Sequence, residues 1–355
     1  MSKTISLVIG LAVTALFLWL AFRGVDFADL GSQLAKADYR TLPLYLLALV
    51  AFFVLKAYRW TLLLKTFGKY SIPQVMPALM IGFMGNNILP AHLGEFMRVF
   101  VFARDYKKSY TAILSNLILE RIFDVVTILA VLIIGLMFVP ELFAVTEIRI
   151  GAILVCIAAA GILAVTGIFV IWTERFIAFT RWIFSKLRFL PTTLESKVTH
   201  LMQEAQLGLK TLHDPWLTIQ IAAVSIVHWM VMTAMFFLSL WSFGIEVTIP
   251  TALLLMSVTA LGVIIPAAPG FFGTIQLAFL LVLTPILHLN EQPALKSAVV
   301  GASIYYHLAQ YIPVTLIGLY YLHKVGLSLT KVASEIDHVQ HETLDSDPDP
   351  AVLSN

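Results

Sequence analysis

Six stretches of about 20 mainly apolar residues restrict what this chain can fold into. They cover residues 5–22, 42–62, 111–138, 150–172, 216–240 and 297–322. A helix that crosses a bilayer needs roughly 20 such residues. Charged residues make up 12% of the chain, about half of their usual share in soluble domains. These observations predict an all-α polytopic membrane protein with about six full transmembrane helices.

Two further apolar segments, 75–102 and 251–288, are interrupted near their middles by Pro and Gly. The sequence NNILPAHLGEF at 86–96 aligns with GVIIPAAPGFF at 262–272, which matches Pro90 to Pro266 and Gly94 to Gly270. A broken helix exposes backbone polar groups at membrane depth, where they must face protein or a wet cavity. Paired breaks of this kind are typical of transporter binding sites. We therefore predict an inverted repeat around a polar cavity, with two kinked helices that bind no ligand as the alternative.

The distribution of basic residues predicts the orientation. Lys and Arg follow the second span, follow the first broken segment and fill 173–215, whereas 139–149 and 241–249 together hold only Arg149. Because cytoplasmic loops carry the excess of Lys and Arg, both termini are expected in the cytoplasm. The first broken segment would then re-enter from the cytoplasm and the second from outside. If either segment crosses fully, the count becomes seven or eight spans.

The chain divides into a membrane domain, 1–325, and an acidic tail, 326–355, which is expected to be disordered. Within the membrane domain, 173–215 mixes basic residues with aromatics and apolar residues at helical spacing. This pattern predicts two amphipathic pieces at the cytoplasmic interface. We favour a structural belt over a regulatory lipid sensor.

Polar side chains at membrane depth are costly and mark candidate binding residues. The first broken segment carries Asn86, Asn87, His92, Glu95 and Arg98. Glu95 and Arg98 share a helix face, so they would either neutralise each other or bind a headgroup.

The span 111–138 carries a second polar set, Asn116, Glu120, Arg121 and Asp124. Three of these recur every four residues and form one stripe, with the arginine beside it. Two acids and one base leave a deficit of positive charge, which Arg98 or Arg59 from a neighbouring helix would offset.

Other spans carry isolated polar residues. Lys56, near a span end, is interpreted as extending to the interface, while the position of Arg59 is left open. His228 is interpreted as a packing residue. His307 and Gln310 share a face of the last span and are placed to line the cavity.

The sequence contains no motif of a known catalytic or metal-binding centre. It has no G-x-S-x-G, no phosphate-binding loop and no H-E-x-x-H, and its one cysteine, Cys156, lies in an apolar run. A clustered basic surface for nucleic acid is also absent. We expect no enzyme activity, no metal, no cofactor and no nucleic-acid partner.

Four motifs together resemble a known family. They are RW at 59–60, GNNILPAHLGEFMR at 85–98, LERIFD at 119–124 and PAAPGFFGTIQ at 266–276. The set resembles the membrane module of the lysylphosphatidylglycerol synthases, which also occurs in flippase-like bacterial and archaeal membrane proteins. The resemblance covers roughly residues 5–325. His92 stands where the family often has a basic residue, which leaves the headgroup preference open.

The resemblance implies movement of an aminoacylated phospholipid, or of a phospholipid or polyprenyl-linked lipid, between leaflets of a prokaryotic plasma (inner) membrane. The soluble domain of the synthases does not follow the last span, so synthase activity is not expected. The candidate substrate-binding residues are Asn86, Asn87, Pro90, Gly94, Glu95, Arg98, Glu120, Arg121, Asp124, Pro266, Pro269, Gly270, Gly273, His307 and Gln310.

Within this set, Arg98 and Arg121 are expected to contact phosphate. The three acids would hold those arginines or bind an amine-bearing headgroup. Two other functions stay open. One is an intramembrane transferase acting on a lipid phosphate, and the other is a non-catalytic subunit that recruits a soluble synthase or glycosyltransferase through 173–215.

Overall fold

The structure, a computed structural model, describes residues 3–89, 92–139, 173–186, 214–264 and 269–328, with isolated helical positions between 146 and 164. This described part consists of helices, turns and short loops, with no strand. Its helices are α1 (Lys3–Phe22), α2 (Phe27–Lys36), α3 (Leu42–Leu63), α4 (Ile72–Ile88), α5 (Leu93–Tyr106), α6 (Tyr110–Phe138), α7 (Thr173–Lys186), α8 (Pro215–Trp241), α9 (Ile249–Ile264), α10 (Thr274–Leu287) and α11 (Pro293–Lys324). The prediction of an all-α protein is confirmed.

Several helices are apolar over a membrane-spanning length. Three stretches are long and apolar enough to cross a membrane: Tyr39–Thr66, Pro215–Trp241 and Pro269–Leu287. The helices α1, α6 and α11 coincide with three more predicted spans. The chain is thus a multi-pass membrane protein. The predicted span 150–172 falls mainly outside the described residues, so the number of spans stays a prediction.

The described residues also include two helices outside the predicted spans and broken segments. The stretch 23–40 contains α2, whose first turn is capped because Asp26 Oδ1 accepts from Ala28 N at 2.8 Å. The first amphipathic piece is the helix α7, which exposes Phe179 and Trp182. Residues 187–213, which include the second piece, and the tail from residue 329 lie outside the described residues.

The first broken segment is an antiparallel hairpin of α4 and α5. Leu89 ends α4 in an extended conformation (ψ 148°), because a residue that precedes proline disfavours the helical region. His92 then turns the chain in the left-handed region (φ 56°) and α5 begins. At the open end of the hairpin, the Tyr106 hydroxyl donates to the main-chain oxygen of Gln74 at 3.1 Å.

Glycines allow the two arms of this hairpin to pack closely. A Cβ atom on Gly94 would overlap the main-chain oxygen of Gly82 and the main-chain nitrogen of Asn86, and one on Gly85 would meet Gly94 at 2.7 Å. Small residues at a helix contact permit this backbone approach inside membranes. Gly94, a predicted site residue, therefore serves the packing of the hairpin.

The second broken segment also folds back on itself, as α9 and α10. Its turn holds Gly270 and Gly273 at positive φ and Phe271 at φ 59°, a conformation that costs a bulky residue free energy. Gln276 closes the turn, because its Oε1 accepts from Gly273 N at 2.8 Å. The predicted breaks are thus confirmed as breaks.

The hairpins lie along α11 from its opposite ends. The open end of the first hairpin is beside the end of α11, where Arg104 donates to the main-chain oxygen of Val325 at 3.4 Å. The open end of the second directly precedes α11, and Gln292 donates to the main-chain oxygen of Leu287 at 2.9 Å. The two turns therefore meet near the middle of α11.

His92 on the first turn contacts residues of the second hairpin. His92 Nε2 lies 3.1 Å from the main-chain oxygen of Val263, and its ring centroid is 5.5 Å from that of Phe271. Residues 90–91 and 265–268, which include Pro90 and Pro266, lie outside the described residues. The inverted repeat consequently stays a prediction.

Candidate functional site

A cavity of about 480 Å³ lies where the two turns meet. This volume is within the range of small-molecule sites, roughly 300–1,000 Å³. Much of its wall is aromatic and aliphatic, with Phe52, Phe53, Phe83, Phe96 and Phe271 among the lining residues. Its charged, amide and imidazole lining residues are Lys56, Asn86, Asn87, His92, Glu95, Arg121, Asp124, His307 and Gln310. The cavity wall is therefore mainly apolar, and its polar region includes charged, amide and imidazole groups.

The structure brings many of the predicted site residues to this cavity. Eight of them line it: Asn86, Asn87, Glu95, Arg121, Asp124, Gly270, His307 and Gln310. Arg98 and Glu120 lie behind its wall, 2% and 0% exposed. The second turn contains Pro269 and Gly273. Gly94 lies where the two arms of the first hairpin pack together. Pro90 and Pro266 lie outside the described residues. The assignment of these residues to substrate binding stays a prediction.

The polar region rests on a buried ionic network between α3 and α6. Arg59 is fully buried, and it donates to Asp124 Oδ1 at 2.6 Å and to Glu120 Oε1 at 3.0 Å. The same guanidinium donates to Ser225 Oγ at 2.9 Å. On α8, Trp229 Nε1 donates to Asp124 Oδ1 at 3.1 Å. Because these helices share one set of charge-assisted bonds, the network fixes their relative positions.

Lys56 is also part of this network. Its Nζ lies 3.1 Å from Glu120 Oε1 and 3.6 Å from Asp124 Oδ2, and the residue is 2% exposed. The interpretation that Lys56 extends to the interface is therefore wrong. The three-residue spacing of Lys56 and Arg59, opposite an acidic stripe on α6, was the sequence signal for this pairing.

The arginines of α5 and α6 pair across helices. Arg98 NH2 donates to Glu120 Oε2 at 2.7 Å, and its guanidinium lies 3.7 Å from the ring centroid of Trp60. Arg121 NH2 lies 2.7 Å from Glu95 Oε1. Mutual neutralisation of Glu95 and Arg98, one of the two alternatives for these residues, is thus not observed, because each pairs with α6 instead. The expectation that Arg98 or Arg59 offsets the acids of α6 is confirmed for both.

Amide and imidazole groups complete the polar lining. Asn87 Nδ2 donates to Thr315 Oγ1 at 2.9 Å, which ties the first turn to α11. His307 Nε2 lies 2.7 Å from the main-chain oxygen of Gly270, and since a carbonyl only accepts, this nitrogen carries the proton. Its Nδ1 faces Gln276 Nε2 at 3.3 Å. His307 therefore holds the second turn to α11 at the edge of the cavity.

Two other predicted polar residues are structural. Asn116, on the stripe of α6, donates to the main-chain oxygen of Leu63 at 2.7 Å. His228 is buried between the rings of Phe52 and Trp229, in agreement with its interpretation as a packing residue.

The chemistry of the site is electrostatic. Among the described residues, no group of three or more His, Cys, Asp and Glu side chains is placed to hold a metal ion. Two cations and two carboxylates line the cavity, together with neutral amides. Such a set can bind a charged, hydrogen-bonding headgroup while the aromatic wall contacts apolar groups.

Comparison with curated proteins finds no match, and comparison with solved structures finds none either. A family model described as the lysylphosphatidylglycerol synthase TM region matches residues 7–318. This range contains both hairpins, the ionic network and every described residue of the cavity wall. The chain belongs to the lysylphosphatidylglycerol synthase transmembrane-region family.

Proposed function

We propose that the protein moves a lipid between the leaflets of a prokaryotic plasma membrane. The headgroup would occupy the cavity between the two turns, and the acyl chains would stay in the bilayer. The observation that carries this proposal is the cavity itself, which has charged and amide groups in its lining and lies between two hairpins that approach α11 from opposite ends. Family membership supports a lipid-related function.

The arrangement of the hairpins supports access from both leaflets. The open end of the first hairpin lies beside Val325 and that of the second beside Leu287, at opposite ends of α11. In the proposed orientation, with both termini in the cytoplasm, the first hairpin is re-entrant from the cytoplasm and the second from outside. Movement of one hairpin relative to the other would open the cavity to one leaflet at a time.

Arg121 is the proposed headgroup-binding cation, and Arg98 is proposed to position the network. The side chain of Arg121 is 42% exposed at the cavity, whereas that of Arg98 is 2% exposed behind it. No step of the proposed transport forms or breaks a covalent bond, so the proposal assigns the chain no enzyme activity.

The test is transport by the purified full chain in liposomes that contain acyl-labelled fluorescent phospholipids, with dithionite to bleach the outer leaflet. Wild-type protein should expose inner-leaflet lipid faster than protein-free liposomes. Arg121→Gln should slow this at least about tenfold, which corresponds to about 1.4 kcal/mol of lost interaction. Arg104→Gln, at the open end of the hairpin, is the control and should transport normally. Equal rates for wild type and Arg121→Gln would contradict the proposal.

A second candidate function is a membrane subunit that recruits a soluble synthase or glycosyltransferase. The helix α7 favours it, because this helix exposes Phe179 and Trp182 next to basic residues. Replacement of Arg175, Arg181 and Lys186 by Gln separates the two functions. If the protein is a recruiting subunit, this variant should lose cellular function while its behaviour in the liposome assay stays the same as that of wild type. If the protein is a translocator, the variant should keep both its cellular function and its liposome transport.

A further inference from the structure

The ionic network at the cavity is not neutral. In the described part of the chain it comprises four cations, Lys56, Arg59, Arg98 and Arg121, and three carboxylates, Glu95, Glu120 and Asp124. With histidine counted as neutral, it carries one surplus positive charge. A buried charge without a counter-charge is costly at membrane depth. A ligand with one negative charge would remove that cost.

The contacts show where the surplus charge is accessible. Arg59 is fully buried between two carboxylates, and Arg98 is buried between Glu120 and the ring of Trp60. Neither guanidinium is available to a ligand without breaking a short ionic bond. The cations that line the cavity are Lys56 and Arg121, whose side chains are 3% and 42% exposed.

These two cations approach the same carboxylate oxygen, and each also has a shorter ionic contact: Lys56 Nζ lies 3.1 Å from Glu120 Oε1 and Arg121 NH2 lies 2.7 Å from Glu95 Oε1. Lys56 Nζ lies 3.6 Å and Arg121 NH1 lies 3.4 Å from Asp124 Oδ2, both longer than the charge-assisted bonds deeper in the network. Arg121 Nε makes no hydrogen bond within the described structure. An anionic oxygen placed between the two cations would gain both partners while the buried bonds stay intact.

The remaining polar groups at this position suit a hydroxylated headgroup. Glu95 Oε2 and Asn86 Oδ1 are both buried at the cavity wall, and neither has a hydrogen-bond partner in the described structure. Both oxygens are acceptors, so they suit hydroxyl donors beside the phosphate. Gln310 adds a neutral amide to the same lining.

We infer that the site takes one phosphate monoanion between Lys56 and Arg121, from a lipid headgroup that carries hydroxyl groups and no amine. This inference rests on the proposed function, which supplies the phosphate as a lipid. A zwitterionic headgroup would leave the surplus charge in place, and an aminoacylated one would add to it. Free inorganic phosphate has the same anionic chemistry, and the experiment separates the two sources.

The experiment is native mass spectrometry of the detergent-purified full chain, titrated with phosphatidylglycerol, phosphatidylethanolamine and lysylphosphatidylglycerol. Wild-type protein should bind phosphatidylglycerol about tenfold or more tightly than either other lipid. Lys56→Gln, which makes the network neutral, should weaken phosphatidylglycerol binding about tenfold. Glu95→Gln, which makes it doubly positive, should strengthen binding by a similar factor.

Matched controls change the same charge outside the network. Lys65→Gln and Glu291→Gln alter exposed residues and should leave all three affinities unchanged. Because misfolding cannot strengthen binding, the gain expected for Glu95→Gln keeps the test decisive even if Lys56→Gln fails to fold. Equal binding of the three lipids, a preference for lysylphosphatidylglycerol, or weaker binding by Glu95→Gln would overturn the inference.

Two further arms distinguish the possible failures. If millimolar inorganic phosphate displaces phosphatidylglycerol and binds equally well alone, the ligand is free phosphate and the lipid assignment is overturned. If lysylphosphatidylglycerol is both preferred and transported in liposomes, the charge inference fails while the proposed function stands. If phosphatidylglycerol binds as expected but no lipid is transported, the proposed function fails and the anion site stands.

Discussion

His92 Nε2 lies 3.1 Å from the main-chain oxygen of Val263, and this contact joins the turns of the two hairpins. A carbonyl oxygen only accepts, so the imidazole donates here. The ring of His92 also contacts that of Phe271 on the second turn. The two elements that would have to separate during lipid movement are therefore connected through His92.

The first prediction is that a covalent link across this interface stops transport. His92→Cys and Phe271→Cys, in a Cys156→Ser background, should be joined by a short reducible bis-methanethiosulfonate reagent because their rings lie 5.5 Å apart. The linked protein should lose transport in liposomes, and a reducing agent should restore it. Each single-cysteine variant, treated in the same way, is the control. Full transport by the linked protein would show that the turns need not separate.

The second prediction concerns the centre of the ionic network. Arg59→Met removes a fully buried cation from Glu120 and Asp124 and should destabilise the protein by about 3–5 kcal/mol, because buried carboxylates lose a partner. Thermal unfolding in detergent, followed by tryptophan fluorescence, measures this loss. Arg40→Met, whose side chain is 95% exposed, should change stability little. An unfolding temperature equal to that of wild type would show that the network contributes little.

The sequence predicts much of this fold because the membrane imposes strong requirements. The expected spans 42–62 and 216–240 match α3 and α8 to within one residue at each end. Helices must satisfy their own backbone groups in lipid, so length and apolarity determine their position. The break in the first segment was equally visible, since Leu89 precedes a proline and leaves the helical conformation.

The direction of individual polar side chains was harder to predict. Lys56 lies near a predicted span end, where a lysine usually reaches the interface. In the structure the acidic face of α6 lies opposite, and the ammonium pairs with Glu120. Charge complementarity between distant helices determines this direction, and it depends on a packing arrangement that local spacing does not contain.

The same reason explains why Glu95 and Arg98 do not pair with each other. Three residues on a helix are about 300° apart, so the two side chains diverge by about 60°. Arg98 points to Trp60 and Glu120, whereas Glu95 reaches Arg121 at the cavity. Neighbouring helices therefore offered each side chain a partner that the isolated helix did not.

The third prediction separates the roles of Arg98 and Arg121. Arg98→Ala should lower the unfolding temperature, because Glu120 loses a buried bond of 2.7 Å and Trp60 loses its stacked guanidinium. Arg121→Ala should leave the protein folded and reduce lipid retention, because its side chain is 42% exposed at the cavity. Mass spectrometry of lipids retained after detergent purification, beside thermal unfolding, measures both effects. Identical lipid profiles in wild type and Arg121→Ala would make that arginine structural.

The fourth prediction tests the close packing of the first hairpin. Gly94→Ala places a Cβ atom on the main-chain oxygen of Gly82 and on the main-chain nitrogen of Asn86, so α4 and α5 must move apart. The expected destabilisation is about 1–3 kcal/mol, as for other overpacked sites. The displacement would also shift Asn86 in the cavity wall, so lipid transport should slow together with the loss of stability.

Gly31→Ala is the matched control for this substitution. Gly31 lies in α2, with no atom within 4 Å of the position of an added Cβ. Alanine there should stabilise the helix by roughly 0.5–1 kcal/mol, because glycine loses more backbone freedom on folding. The two substitutions add the same methyl group and should shift the unfolding temperature in opposite directions. A stabilising effect of Gly94→Ala would mean that the arms of the hairpin are not in contact at this position, and the packing described for the first hairpin would be wrong.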